Sequence, residues 1–174
     1  RFFDISYLKD RKESGQVGFD FKRPQLGQDL YGIQLETERV AAASKIGYVF
    51  KDKPYQSFGI QSSYSNYVQK SFFGNNKYDI EHESFYVNSI FQSILGSTQH
   101  KFKTGISLTY DRYDEQVLLQ NYQRDEKSIG GFFEYTYDSL EALILVAGLR
   151  MDSHNLLGNF LTPRLHVRYE SWDR

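Results

Sequence analysis

The stretch Leu143–Tyr169, LILVAGLRMDSHNLLGNFLTPRLHVRY, constrains the fold more than any other part of the chain. Successive strand side chains point to opposite faces. Read with that period, Leu143, Leu145, Ala147, Leu149 and Met151 share one face, opposite Ile144, Val146, Gly148, Arg150 and Asp152. After a turn, Leu161, Pro163, Leu165, Val167 and Tyr169 form an apolar row opposite Arg164, His166, Arg168 and Glu170. This predicts a long hairpin with one oily face and one wet face. A half-buried hairpin of a soluble β-protein shows the same period.

Composition permits a membrane reading. The chain has 174 residues and a mean hydropathy of -0.58. Its longest apolar run, Ala142–Leu149, is far short of the ~20 residues that a transmembrane helix needs. Membrane strands escape such scans because only alternate residues face lipid. The 14 Tyr and 14 Phe suit strands and interfacial aromatic girdles. A net charge of -1 points to no nucleic-acid partner. The absence of cysteine excludes a disulfide framework and any thiolate metal site. The chain begins at Arg1 inside a strand pattern with no signal-peptide pattern, so an internal section of a longer protein is the expectation.

The rest reads as further hairpins. A first short strand covers about Phe2–Lys9, and a long connection follows, Asp10–Leu30, punctuated by Gly15, Gly18, Pro24 and Gly27. The second strand, about Tyr31–Phe50, changes phase: Ile33 and Leu35 are odd, Ile46, Tyr48 and Phe50 even. A β-bulge or a break within Val40–Ser44 is expected to absorb the change. A third strand spans about Gln56–Tyr67, a second long connection Val68–Glu81, and a fourth strand about Glu83–Leu95. In the fifth strand Phe102, Thr104, Ile106, Leu108 and Tyr110 alternate with Lys103, Gly105, Ser107, Thr109 and Asp111. After a polar tip at Gln120–Glu126, the sixth carries Ile129, Gly131, Phe133, Tyr135 and Tyr137 on one face and Gly130, Glu134 and Thr136 on the other. The resulting fold class is all-β: eight antiparallel strands joined by hairpins, short connections at one end and longer ones at the other. That asymmetry matches outer-membrane barrels, with short turns on one rim and long loops on the other.

Four segments, VAGLRMDSHNLLGNFLTPRLHVRYE, GYVFKDKPYQSFGIQ, HKFKTGISLTYDRYDE and GGFFEYTYD, resemble the barrel of TonB-dependent outer-membrane receptors of Gram-negative bacteria. The resemblance is to the single-chain type with a carboxypeptidase-like N-terminal extension, and NFLTPRLHVRY carries it most specifically. It implies a mid-barrel section of a 22-strand type of barrel that imports a siderophore, vitamin, haem or glycan with TonB-supplied energy. The implied partners are membrane lipid, the receptor's own plug domain, the TonB complex and the imported ligand. The alternative is a complete small eight-stranded barrel with a structural or adhesion role.

On this reading Leu143, Leu145, Leu149, Leu165, Val167, Ile106, Leu108 and Phe133 face lipid. Glu134, Arg150, Asp152, Arg164, Arg168 and Glu170 form a lumen-facing network of charge pairs. Phe19, Phe21, Phe72, Phe73, Asn121, Tyr122 and Arg124 are substrate-contact candidates on the longer loops, the aromatics for stacking and Arg124 for an anion. No catalytic residue, cofactor or metal site is expected. His82, His100, His154 and His166 make neither an HExxH nor a His-x-His pattern, and no GxSxG occurs. Asp79, Glu81 and Glu83 beside His82 read as a solvated loop edge or a stray Ca²⁺ contact. A soluble sugar-binding β-sandwich would need a buried apolar core, which faces rich in Lys, Arg and Glu do not supply.

Overall fold

A computed structural model describes residues 1–22, 29–140 and 142–170. It contains eight strands: β1 (Phe2–Gly15), β2 (Gly32–Phe50), β3 (Lys53–Phe73), β4 (Asn76–Leu95), β5 (Ser97–Val117), β6 (Gln120–Asp138), β7 (Leu143–His154) and β8 (Gly158–Tyr169). They form one antiparallel sheet in sequence order, with no helix among the described residues. β1 and β8 are the free edges, so the sheet is open.

Pairing sorts every side chain onto one of two faces. One row runs Ile46–Ile60–Ser89–Ile106–Gly131–Met151–Leu161 across seven strands, and the row below it runs Tyr48–Phe58–Phe91–Thr104–Phe133–Leu149–Pro163. Phe3, Ile5 and Tyr7 extend this face to β1. All eight residues expected on the oily side lie on it. The opposite, polar face carries Lys45–Gln61–Asn88–Ser107–Gly130–Asp152 in one row. No large apolar side chain is buried among the described residues, and Leu165 is 75% exposed. A sheet stabilises a soluble domain by burying a face against a second layer. Here the apolar face has no second layer.

The apolar band slants across the sheet. Its upper limit is Tyr7 on β1, Tyr64 on β3 and Tyr110 on β5. On β8 it is Leu161, two rows below Tyr64 in the pairing. Its lower limit falls in parallel, from Phe50 on β2 to Tyr169 on β8. A level band crossed by tilted strands has this geometry. Three tyrosines at the upper limit each donate to a carboxylate on the next strand: Tyr7 to Glu38 at 2.9 Å, Tyr64 to Glu83 at 3.4 Å, Tyr110 to Asp125 at 3.4 Å. At the lower limit His100, Tyr135 and Tyr137 pack together, with ring centroids 6.0 and 5.3 Å from His100.

Several expectations are corrected above the band. β1 continues to Gly15 rather than ending at Lys9. β2 crosses Val40–Ser44 with no shift against β1 or β3; the only irregularity lies at Val49/Phe50. Ile33 and Leu35 therefore sit on the polar face, and the phase change marks the strand leaving the band. Val68–Glu81 and Gln120–Glu126 are strand, not loop, closed by two-residue turns at Gly74-Asn75 and Leu118-Leu119. Gly74 and Leu118 adopt φ of 60° and 57°, the left-handed conformation that tight hairpin turns require. Only the connection between β1 and β2 is long at this end. Pro24 and Gly27 in it, and Glu141 in the turn before β7, lie outside the described residues. The asymmetry between the ends resides instead in the overhang: β2–β6 are 19–21 residues long, β7 and β8 only 12.

Backbone packing on the polar face is close at Gly105, where a Cβ would lie 2.0 Å from the Ser89 carbonyl oxygen and 2.7 Å from the Phe132 ring. A backbone atom cannot swing aside as a side chain can. Gly105→Ala is expected to destabilise the sheet by ~1–3 kcal/mol, read as a lowered denaturation midpoint.

Candidate functional site

Behind the apolar band, the polar face holds charged and hydrogen-bonding side chains, and its centre is a network carried by β5–β8. Arg150 donates to both oxygens of Asp152, at 2.7 and 2.6 Å, and to the Ser107 hydroxyl on β5 at 2.7 Å. To reach Ser107 it passes over β6 at Gly130, where a Cβ would meet Asp152 Oδ1 at 2.0 Å and Arg150 at 2.6 Å. Glycine is needed there because the guanidinium occupies the space. Asp152 is 5% exposed, and Arg150 is its ion-pair partner. Arg164 on β8 likewise reaches Glu134 on β6 at 3.4 Å, across Gly148, and Lys103 on β5 reaches Glu134 at 3.7 Å.

The expected network is thus brought together on one face, with different pairing. Arg150–Asp152 is a pair within one strand, as is Arg168–Glu170, and Glu170 lies just beyond β8. The cross-strand ion pairs among them centre on Glu134: it joins Arg164 of β8, and it also joins Lys103 of β5, which sequence reasoning had placed on this face without giving it a partner.

Above the band the same face carries an aromatic stack. Tyr113 lies between His82 of β4, with ring centroids 4.3 Å apart and 7° between planes, and Arg124 of β6, 4.4 Å from its ring. His82 Nε2 is 3.0 Å from Asp111 Oδ1, and Arg124 pairs with Glu126 at 2.6 Å. Asp111 and Glu126 are direct cross-strand partners, so His82 and Arg124 flank two carboxylates held side by side. Burial first, then Asp111 and Glu126, pushes the Tyr113 phenol above its ordinary value, against a lowering pull from Arg124. Tyr78 rises for the same reasons, burial and then Glu115, to which its hydroxyl donates at 3.2 Å. Tyr113 and Ser107 were missed as partners. With the Leu118-Leu119 turn known, counting back along both strands pairs Tyr113 with Arg124.

The substrate-contact candidates do not form one cluster, and five of the seven lie on strands rather than loops. Phe19 packs on Phe21 at 4.7 Å and on Phe72 at 6.3 Å, beside the turn after β1. Phe73 points to the face opposite Phe72. Tyr122 and Arg124 lie on the polar face of β6, and Asn121 on the other. These strands were misread because above the band both faces are polar, which removes the period. Asp79, Glu81 and Glu83 share one face while His82 points to the other. Among the described residues no group of three or more His, Asp or Glu is placed to hold a metal.

No family model, curated protein or solved structure matches this chain.

Removing Arg150 leaves a buried carboxylate unpaired. Breaking a buried pair costs about 3–5 kcal/mol. The Arg150 side chain is 42% exposed, so Arg150→Met is expected at or below the lower end, ~2–3 kcal/mol. The double variant Arg150→Met with Asp152→Asn should recover most of that loss in the same unfolding titration.

Proposed function

We propose that this chain is a section of the wall of an outer-membrane barrel, and that the barrel belongs to an energy-dependent importing receptor. The single observation that carries the first part is the apolar band, which crosses all eight strands uncovered. Hydrocarbon is a medium that covers such a band without a second protein layer. On β8 the band runs Leu161–Tyr169. Nine residues at ~3.3 Å each, tilted by ~40°, give about 20 Å of height before side chains are added, close to the ~25 Å apolar belt of membrane barrels. Aromatic residues at both limits suit headgroup depth.

The receptor reading is supported by the resemblance of the strand segments and by the open edges. An eight-stranded barrel complete in itself would pair β1 with β8, whereas here both edges are free. The unpaired backbone of both edges is satisfied if further strands of a larger barrel continue the sheet. In that arrangement the polar face lines the lumen against a plug domain, and the overhang of β1–β6 stands above the bilayer. There Tyr122 and Arg124 meet the incoming solute, with TonB supplying the energy for passage.

Leu165→Arg, at the middle of the β8 band, is expected to cost ~2–4 kcal/mol in a lipid-refolding titration, and Thr109→Arg on the polar face much less. Equal costs would contradict the orientation. For import, cells displaying the full-length receptor should accumulate its substrate only while the inner membrane is energised, and Tyr122→Ala with Arg124→Ala should lower that uptake. Passage that persists after the proton gradient is collapsed would contradict the receptor reading and leave a passive or structural barrel.

A further inference from the structure

The turn between β7 and β8 is held by a histidine. His154 closes it, paired directly with Gly158, whose φ of 78° is the left-handed conformation that a tight reversal uses. Two backbone amides within the turn point at the ring: Leu156 N–H donates to His154 Nδ1 at 3.2 Å and Leu157 N–H at 3.3 Å. Neither amide has a backbone acceptor in the turn. The other ring nitrogen, Nε2, lies 3.7 Å from Glu126 Oε2 on β6. An imidazole nitrogen that accepts a hydrogen bond carries no proton, so the neutral ring holds its proton on Nε2, facing the carboxylate. His82 and His100, by contrast, each engage only one ring nitrogen among the described residues.

The ring is enclosed by three strands, its side chain only 13% exposed. On β6, Glu126 faces Nε2 and is shared with Arg124 at 2.6 Å. The cross-strand partner of Glu126, Asp111, is engaged by His82 at 3.0 Å. On β7 itself Asp152 stands one step below on the same face and is tied to Arg150. On β8 the facing positions are Gly158 and Phe160, which carry no charge. Asn155 anchors the first residue of the turn. Its Oδ1 accepts from Lys127 N–H at 2.7 Å, its Nδ2 donates to the Asp125 carbonyl at 2.8 Å, and its own N–H donates to the Lys127 carbonyl at 3.0 Å. Beyond it, Leu156 and Leu157 form an exposed tip.

We propose that His154 is an acid-operated latch: the neutral imidazole holds the Leu156–Leu157 tip, and the imidazolium releases it. A second proton can enter only at Nδ1, since Nε2 already carries one. It turns the acceptor into a donor facing two N–H donors, and both amide bonds are lost. The ring itself stays, because its positive charge now pairs with Glu126 through the Nε2 proton. Motion is confined between Asn155, which the β6 backbone still holds, and Gly158, whose missing Cβ leaves the hinge free. The hold is present while the ring is neutral and is lost as pH falls through its titration. Two apolar side chains, just beyond the band's upper limit at Leu161, thus gain freedom with acidity. The latch stands on these bonds alone, whichever medium covers the apolar face.

The test is amide hydrogen exchange on the protein in lipid nanodiscs, with rates corrected for the intrinsic pH dependence of exchange. Between about pH 8 and pH 5, the range over which histidine titrates, protection of the Leu156 and Leu157 amides is expected to fall roughly five- to tenfold. The Lys127 amide, held by Asn155, should keep its protection over the same range. In His154→Gln the dependence on pH should vanish, because a carboxamide does not titrate. Ring ¹⁵N NMR should show His154 Nδ1 unprotonated at the upper end of the range. Flat protection of the two leucine amides, an equal fall in His154→Gln, a fall shared by Lys127, or a proton on Nδ1 at the upper end would each overturn the proposal.

Discussion

The structure depends on one constraint: a single-layer sheet whose apolar face has nothing of its own to lie against. Burial of apolar surface is the dominant favourable term in folding, at ~25 cal/mol per Å². Here it cannot come from a core, because no large apolar side chain is buried among the described residues. Backbone pairing alone does not replace it, since each hydrogen bond contributes only about 1 kcal/mol net. The fold is therefore conditional on its surroundings, and the band from Tyr7 to Tyr169 defines the surface that those surroundings must cover.

The other features follow from that band. Carboxylates begin one residue pair above its upper limit, and the tyrosines at that limit bond to them, so the boundary is sharp and held by Tyr7–Glu38, Tyr64–Glu83 and Tyr110–Asp125. The polar face works by opposite rules. Its charges are close to an apolar layer and are satisfied side by side: Arg150 with Asp152 and Ser107, Glu134 with Lys103 and Arg164. Gly130 and Gly148 are the low points over which the two arginines reach.

How far the sequence discloses all this depends on where the two faces differ. Within the band, strict alternation places Leu143, Leu165, Ile106 and Phe133 on one face and Arg150, Arg164 and Glu134 on the other, and the pairing agrees. Beyond the band, Val68–Glu81 has polar residues on both faces, so the period vanishes and strand reads as loop. Turn chemistry misleads there as well, because Leu118 takes a left-handed conformation that Gly or Asn would have signalled. The phase change near Val40–Ser44 has the same origin: Ile33 and Leu35 belong to a different environment from Ile46 and Tyr48, on one uninterrupted strand. Contacts such as Tyr113 with Arg124 needed the register, which hangs on turn lengths that composition alone does not fix.

The most direct test exploits the absence of cysteine, which leaves a clean background for single nitroxide labels. Labels at each position from Phe102 to Tyr110 except Gly105, with the protein in lipid vesicles, would be read for collision with oxygen and with a water-soluble nickel chelate. The account predicts alternation: Phe102, Thr104, Ile106, Leu108 and Tyr110 favour oxygen, and Lys103, Ser107 and Thr109 favour the chelate. Uniform values along the segment, or chelate access at Ile106 and Leu108 equal to that at Ser107, would show that lipid does not cover the apolar face.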